Sequence, residues 1–215
     1  MPAGMPKPVR CSRTWPDTLT SVKRDRRAPE PPRTPRVLDL REPSTAHDLS
    51  ASLWTSWCEA AAVTCDRVHG DGTPKVCNLC PTGRTDIEAS LAWAKPDDRM
   101  KRSHANTIDA TEMGAYAIAT LAVNAIDGWR VVARTATESG ADLWMVGEDD
   151  APDAQVRLEV SGIAKGRGVP GVTALRTRLE QKILQVTRGR ADEPGVAAVV
   201  GFELARVLVS EVTVR

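Results

Sequence analysis

The stretch "GVAAVVGFE", Gly195 to Glu203, constrains the fold more than any other part of the chain. Its apolar residues follow one another without a polar alternate. A strand with one face in water would alternate, so this one belongs at a sheet centre covered on both faces. Its neighbours are suited to that. "VTALRTRLEQKILQVTRG" carries Val172, Leu175, Leu179, Ile183 and Val186 at helical spacing and ends at Gly189. "ARVLVSEVTV" reads as a closing strand. Upstream, "TIDATEMGAYAIATLAVNAID" is an Ala-rich helix that Asp127-Gly128 stops. Between the helices lie three strands, "WRVVARTA", "ADLWMVG" and "QVRLEVSGI", the last two joined by "EDDAPDA". The succession is helix, three strands, helix, strand, strand. It predicts an α/β domain with a mixed sheet over residues 100–215, large enough for one core.

Two carboxylates sit where strands rarely place them. Asp142 shares a face with Trp144 and Val146, and Glu159 with Arg157 and Ser161, while Leu158 and Val160 point away. A hairpin folded about the acidic turn pairs positions that sum to about 301, which sets Asp142 opposite or diagonal to Glu159. Like charges so placed are destabilising, and burial sharpens the conflict. A cation, an Arg partner or a shared proton resolves it. Arg157, two residues from Glu159, offers a structural ion pair, and a hard divalent cation held by carboxylates is the alternative. A third acid, Glu112, lies near the start of the first helix, beside the apolar stripe. "DATE" there also matches a capping box, with Asp109 as N-cap and Glu112 at the third helical position.

The N-terminal half has another composition. All five Cys precede Met100, and residues 1–36 hold nine Lys or Arg against three acids, with eight Pro. Such a segment buries too little apolar area to offset its ordering entropy and reads as a disordered arm. Two roles fit it, a solvated tail and a basic arm for nucleic acid. Residues 37–99 form a poorly defined extension in which "TAHDLSASLWTSWCEAAAVTCDRV" is a helix. The pair Cys77 and Cys80, with Cys58, Cys65 and His69, has the ligand types of a zinc site, but there is one CxxC knuckle, and unrelated free thiols are the stronger reading. The mixture of Trp, Cys, Arg, Pro and Thr also fits an over-extended reading frame with a start near Met100.

No stretch approaches the roughly 18 apolar residues of a membrane span, and "MPAGMPKPVRCSRTWPDT" has no apolar signal core. A soluble, cytoplasmic protein that does not engage a membrane is expected, and a homodimer is allowed. There is no G-x-S-x-G elbow, no P-loop, and no G-x-G-x-x-G after a strand. "GRGVPG" lacks the Lys-Ser/Thr ending of a phosphate loop and reads as a flexible connector, with Arg167 able to touch a phosphate.

A helix carrying Glu112, a strand with Gly140-Ala141-Asp142, a strand with Glu159-Val160-Ser161, then a helix and a strand: this order resembles the PD-(D/E)XK nuclease superfamily, the restriction-endonuclease-like fold with its αβββαβ core. The resemblance covers about residues 107–214. It implies a metal-dependent nuclease acting on phosphodiester bonds of nucleic acid. It implies Mg²⁺ (or Mn²⁺) held by Asp142, Glu159 and the main-chain carbonyl of Val160, with Glu112 assisting.

The chain departs from that pattern at Ser161, where the family has a lysine. That lysine would orient the attacking water and stabilise negative charge developing on the phosphate, which a hydroxyl cannot do. Two lysines stand near in sequence. Lys165 lies in the "AKGRGVPG" connector. Lys182 lies on the second helix, with Arg178 and Gln185 on one polar face. That face is either a solvated surface or the substitute for the missing group. A nuclease-fold module that binds nucleic acid or a protein partner without cleaving is the competing expectation.

Overall fold

Capping explains where the helices begin and stop. A computed structural model of the chain describes residues 36–70, 75–135, 141–147, 155–189 and 194–212. Helix α1, Ala51–His69, starts where the Ser50 side chain accepts from the Leu53 N–H and ends at Gly70, φ 78°. Such a positive φ is easy only for glycine, and its N–H closes on the Asp66 carbonyl. A short α2, Asp98–Ser103, follows. Helix α3, Thr107–Asp127, ends at Gly128, φ 72°, as the Asp-Gly pair predicts. Its start differs from the expected one. Asn106 is the N-cap, its Oδ1 accepting from Ile108 and Asp109 at 3.0 and 3.4 Å. Asp109 therefore sits inside the first turn, and Glu112 lies one turn further along with no capping role. Helix α4, Gly168–Arg188, begins four residues before Val172, taking in the end of "GRGVPG". Pro170 is accommodated because first-turn N–H groups lack helical partners anyway.

The sheet is mixed. Strands β1 (Arg36–Asp39), β2 (Lys75–Pro81), β3 (Ile87–Ala92), β4 (Arg130–Arg134), β5 (Leu143–Val146), β6 (Val156–Ile163), β7 (Gly195–Gly201) and β8 (Arg206–Val212) lie in the order β1-β3-β2-β8-β7-β6-β5-β4. β4, β5 and β6 form an antiparallel meander, β6 and β7 are parallel, and β8 runs antiparallel to β7 and parallel to β2. All seven residues of β7 are buried, as its unbroken apolar run requires. One face packs on α1 and α3 through a cluster that includes Trp57, Cys65, Ile118, Val123, Leu158 and Val160. The other meets α4 through Leu175, Leu179 and Val186 against Ala197, Val199 and Leu208. Burying side chains of this size contributes about 1.5–3 kcal/mol each.

Residues 37–99 are not a loosely defined appendage. Residues 34–215 form one compact unit, so a boundary at residue 100 cuts through its interior. Three strands of the sheet come from before residue 100, and β2 closes the edge that β8 would otherwise leave open. Gly114 of α3 meets α1 so closely that a Cβ there would lie 2.7 Å from the Ala61 Cα. Cys77 faces the α1 and α3 core, while Cys80 packs on the α4 side, because residues three apart on a strand point to opposite faces. That geometry prevents them from forming a zinc knuckle. Cys58, Cys65, Cys77 and Cys80 are free thiols. The basic arm, apart from Arg36 in β1, lies outside the described residues, as do Gly140 and the whole acidic turn, residues 148–154.

Candidate functional site

The hairpin register is the expected one. Leu143 pairs with Leu158, Trp144 with Arg157 and Met145 with Val156. Continued by one residue, the same register would set Asp142 opposite Glu159, but the ladder becomes irregular there: the Asp142 N–H donates to the Leu158 carbonyl at 3.0 Å. β5 gives out here, so the Asp142 carboxylate turns across the gap. Its Oδ2 accepts from the Val160 N–H at 2.8 Å. Its Oδ1 accepts from the Tyr116 hydroxyl at 3.1 Å.

Tyr116 belongs to α3, and a glycine lets it arrive. At Gly162 of β6 a Cβ would stand 2.6 Å from the Thr111 carbonyl oxygen and 3.1 Å from the Ala115 Cβ. The absence of that carbon lets the first turns of α3 lie directly on β6, just beyond Glu159. Glu112 and Tyr116, one turn apart, are carried in together. Glu112 is exposed, and its charge acts on the Tyr116 hydroxyl. Burial, and then the Asp142 carboxylate, holds that hydroxyl well above the ordinary phenol range, so it remains a proton donor.

Glu159 is 1 % exposed. Its Oε1 accepts from the Lys182 ammonium of α4 at 2.5 Å, and the lysine also donates to Gln185 Oε1 at 3.2 Å. The other oxygen, Oε2, is buried and has no donor among the described residues. Burial pushes the Glu159 carboxyl up, Lys182 opposes the rise, and the neighbouring Asp142 charge adds to it, leaving it at about 7. The two carboxylates that the sequence sets side by side are thus in electrostatic conflict, eased at Asp142 by the Val160 N–H and the Tyr116 hydroxyl and at Glu159 by the Lys182 ammonium, with Glu159 Oε2 left without a donor among the described residues.

Of the two candidate lysines, the fold brings Lys182 to Glu159. Lys165 lies exposed in the connector, where its charge acts on Glu203. That connector is tied down rather than loose: Glu203 accepts from the Gly166 N–H at 2.7 Å and from the Arg167 guanidinium. Arg167 is therefore occupied by a carboxylate. Ser161 is on β6, paired with Val199, and is half-buried. Arg178 is exposed. Arg157 is fully buried, but the ion pair of Glu159 is made with Lys182. Tyr116 was not singled out by the sequence reading. Its signal was available: the only tyrosine of the chain, four residues after Glu112 on an otherwise Ala-rich helix.

Among the described residues no three His, Cys, Asp or Glu side chains gather into a metal-binding group. The Asp142 and Glu159 pair offers two carboxylates, and main-chain oxygen can supply a further protein ligand. The Val160 carbonyl is suited to this. In an extended strand the N–H and C=O of one residue leave on the same side, and the Val160 N–H already points to Asp142. An all-oxygen set with an unpartnered buried carboxylate oxygen fits a hard divalent cation. No helix among the described residues is long and apolar enough to cross a membrane. No family model, no curated protein and no solved structure matches this chain.

Proposed function

We propose that the protein is a metal-dependent nuclease of the PD-(D/E)XK type, hydrolysing phosphodiester bonds of nucleic acid. The observation that carries this reading is the Lys182 ammonium at 2.5 Å from Glu159. The resemblance demands a lysine beside the two acids and finds Ser161 in its place. The fold supplies one from another element. The helix–three strands–helix–strand order supports the same reading, as does the α3 approach at Gly162, which brings Glu112 to the neighbourhood of the two acids. Asp142, Glu159 and the Val160 carbonyl would hold Mg²⁺ or Mn²⁺. Such an ion polarises a phosphoryl oxygen and lowers the pKa of a bound water. Lys182 places a fixed positive charge beside the acids, where a scissile phosphate would gain negative charge. Glu112, exposed at the rim, would assist by accepting from an ordered water.

A second reading, a nuclease-fold module that binds nucleic acid or a protein without cutting, draws on the same contact. An ammonium that neutralises Glu159 does part of a metal's work, and a chain with Ser161 can keep the fold for binding alone. The experiment is cleavage of single- and double-stranded DNA and RNA with Mg²⁺ or Mn²⁺, by the parent and by Asp142→Asn, Glu159→Gln and Lys182→Ala. Cleavage by the parent that each variant loses supports the enzyme. Retention of nucleic acid without cleavage, unchanged in the variants, supports the binding module.

A further inference from the structure

The N-terminal half reaches this site at Tyr116. Trp57 of α1 lies against Tyr116 of α3, ring centroids 5.0 Å apart and tilted by 39°. Trp57 is 1 % exposed, so its indole is a fixed wall. The Ala61 and Gly114 approach clamps the two helices one turn away. The phenol of Tyr116 is thereby held by packing, and its hydroxyl donates to Asp142 Oδ1 at 3.1 Å. The opposite oxygen is held by the Val160 N–H. Each carboxylate oxygen has a second lone pair, and two fixed donors leave those lone pairs little freedom to turn.

We propose that Tyr116, backed by Trp57, is a positioning residue that sets the Asp142 carboxylate for cation binding, so that residues 51–69 support the site rather than only the fold. The inference rests on the reading of Asp142 as a metal ligand. The chemistry is that of an outer hydrogen bond to a ligating carboxylate: it fixes the rotamer, and its loss typically weakens metal binding by 10–100-fold. Tyr116→Phe is the suitable change. It removes one oxygen, keeps the ring on Trp57, and leaves Asp142 with its Val160 bond.

The test uses the full chain and titrates Mg²⁺ while reading two quantities, the rise in melting temperature and the cleavage rate. For Tyr116→Phe the Mg²⁺ concentration giving half the effect should rise by about 10-fold in both readouts. Cleavage at saturating Mg²⁺ should recover most of the parent rate. Trp57→Phe, which keeps an aromatic wall, should shift the midpoint in the same direction by less. A merely structural role would lower the melting temperature of the metal-free protein and leave the Mg²⁺ midpoint where it is, and that result overturns the proposal. So does a Tyr116→Phe rate that is reduced equally at every Mg²⁺ concentration. A parent that responds to Mg²⁺ alongside an indistinguishable Tyr116→Phe removes this inference alone. A parent that ignores Mg²⁺ and Mn²⁺ removes the metal reading and this inference with it.

Discussion

Glu159 feels the charge of Asp142, the residue just ahead of β5, while one of its own carboxylate oxygens rests on Lys182 and the other, buried, faces no donor among the described residues. A folded protein tolerates such an arrangement when a bound cation or a proton completes it. The relation makes the stability of the metal-free protein informative.

Asp142→Asn should leave the metal-free protein as stable as the parent or more so. The amide oxygen can take the Val160 N–H, and the amide nitrogen can donate to the Tyr116 oxygen, since a hydroxyl accepts as well as donates. Both existing contacts survive, and the repulsion of Glu159 goes. The expected gain is about 1 kcal/mol, the size of a cross-strand charge effect. Thermal melting in chelator measures it. Mg²⁺ should raise the parent's melting temperature by mass action and do much less for the variant. A large loss on Asp142→Asn would show that the negative charge itself holds the site together.

The carboxyl of Glu159, raised to about 7 from an unfolded value of 4.5, fixes the sign of a pH effect. Between those values the folded chain binds more protons at this group than the unfolded chain does. Its contribution to stability is thus full below about pH 4.5 and is lost as pH rises through 7. A shift of this size corresponds to a loss on the order of 3 kcal/mol. Glu159→Gln cannot titrate, so its stability should fall less than the parent's between pH 5 and pH 8. Denaturant midpoints of both proteins at the two pH values are the measurement. Parallel slopes would mean that Glu159 is ionised throughout.

The register that makes these statements checkable was legible in the sequence. Leu143, Met145 and Leu158 must all face the core, and a slip by one residue would turn every one of them to the other side. Lys182 was legible as one of two candidates, since it sits on the polar face of an amphipathic helix; choosing it needed the packing of α4 on β6 and β7. The β1, β2 and β3 strands were not legible. "KVCNLCP" drew the eye to its cysteines, and "IEASLA" has Ala and Glu, which favour helix; what settles both is pairing with β8 and β1, a long-range fact. The start of α3 was misplaced for a local reason. Asn106 and Asp109 are both able to cap, and nothing in the sequence alone ranks the earlier one first.

Lys182→Ala should abolish cleavage, and the ion pair changes what it should do to stability. From the sequence alone the lysine is a polar helix residue whose loss is nearly free. In the fold it is the partner of a buried carboxylate, so its removal at pH 8 should cost about 3 kcal/mol. At pH 5 the cost should shrink, because Glu159 can take a proton instead. Lys165→Ala, beside Glu203 and away from the acids, should retain cleavage and stability. Activity and denaturant midpoints at both pH values check the pair. A Lys182→Ala protein that cleaves like the parent removes the lysine from the site.

The fragment 100–215 tests how far the N-terminal half belongs to the domain. Read as a sequence, the fragment contains a complete α/β succession and is expected to fold alone. The structure argues for the opposite outcome. Cutting at residue 100 removes α1, whose Trp57, Ala61 and Cys65 form the other side of the α3 interface. It also strips β2 from β8, exposing main-chain donors and acceptors along an apolar strand. The stump would present Ile118, Leu121 and Ala122 to water, at a cost of roughly 1–3 kcal/mol for each large side chain uncovered. That loss takes a large part of a typical domain stability of about 5–15 kcal/mol, and the opened β8 edge and the missing α1 side of the core add to it, so no cooperative fold is expected. The fragment should therefore melt without a sigmoidal transition and aggregate through the β8 edge. Gly114→Val in the full chain probes the same interface more gently. Its added carbons meet the Ala61 main chain, which cannot move aside as a side-chain tip would, so a loss of about 1–3 kcal/mol is expected. A fragment that unfolds cooperatively, together with a Gly114→Val protein as stable as the parent, would return α1 to the role of an appendage.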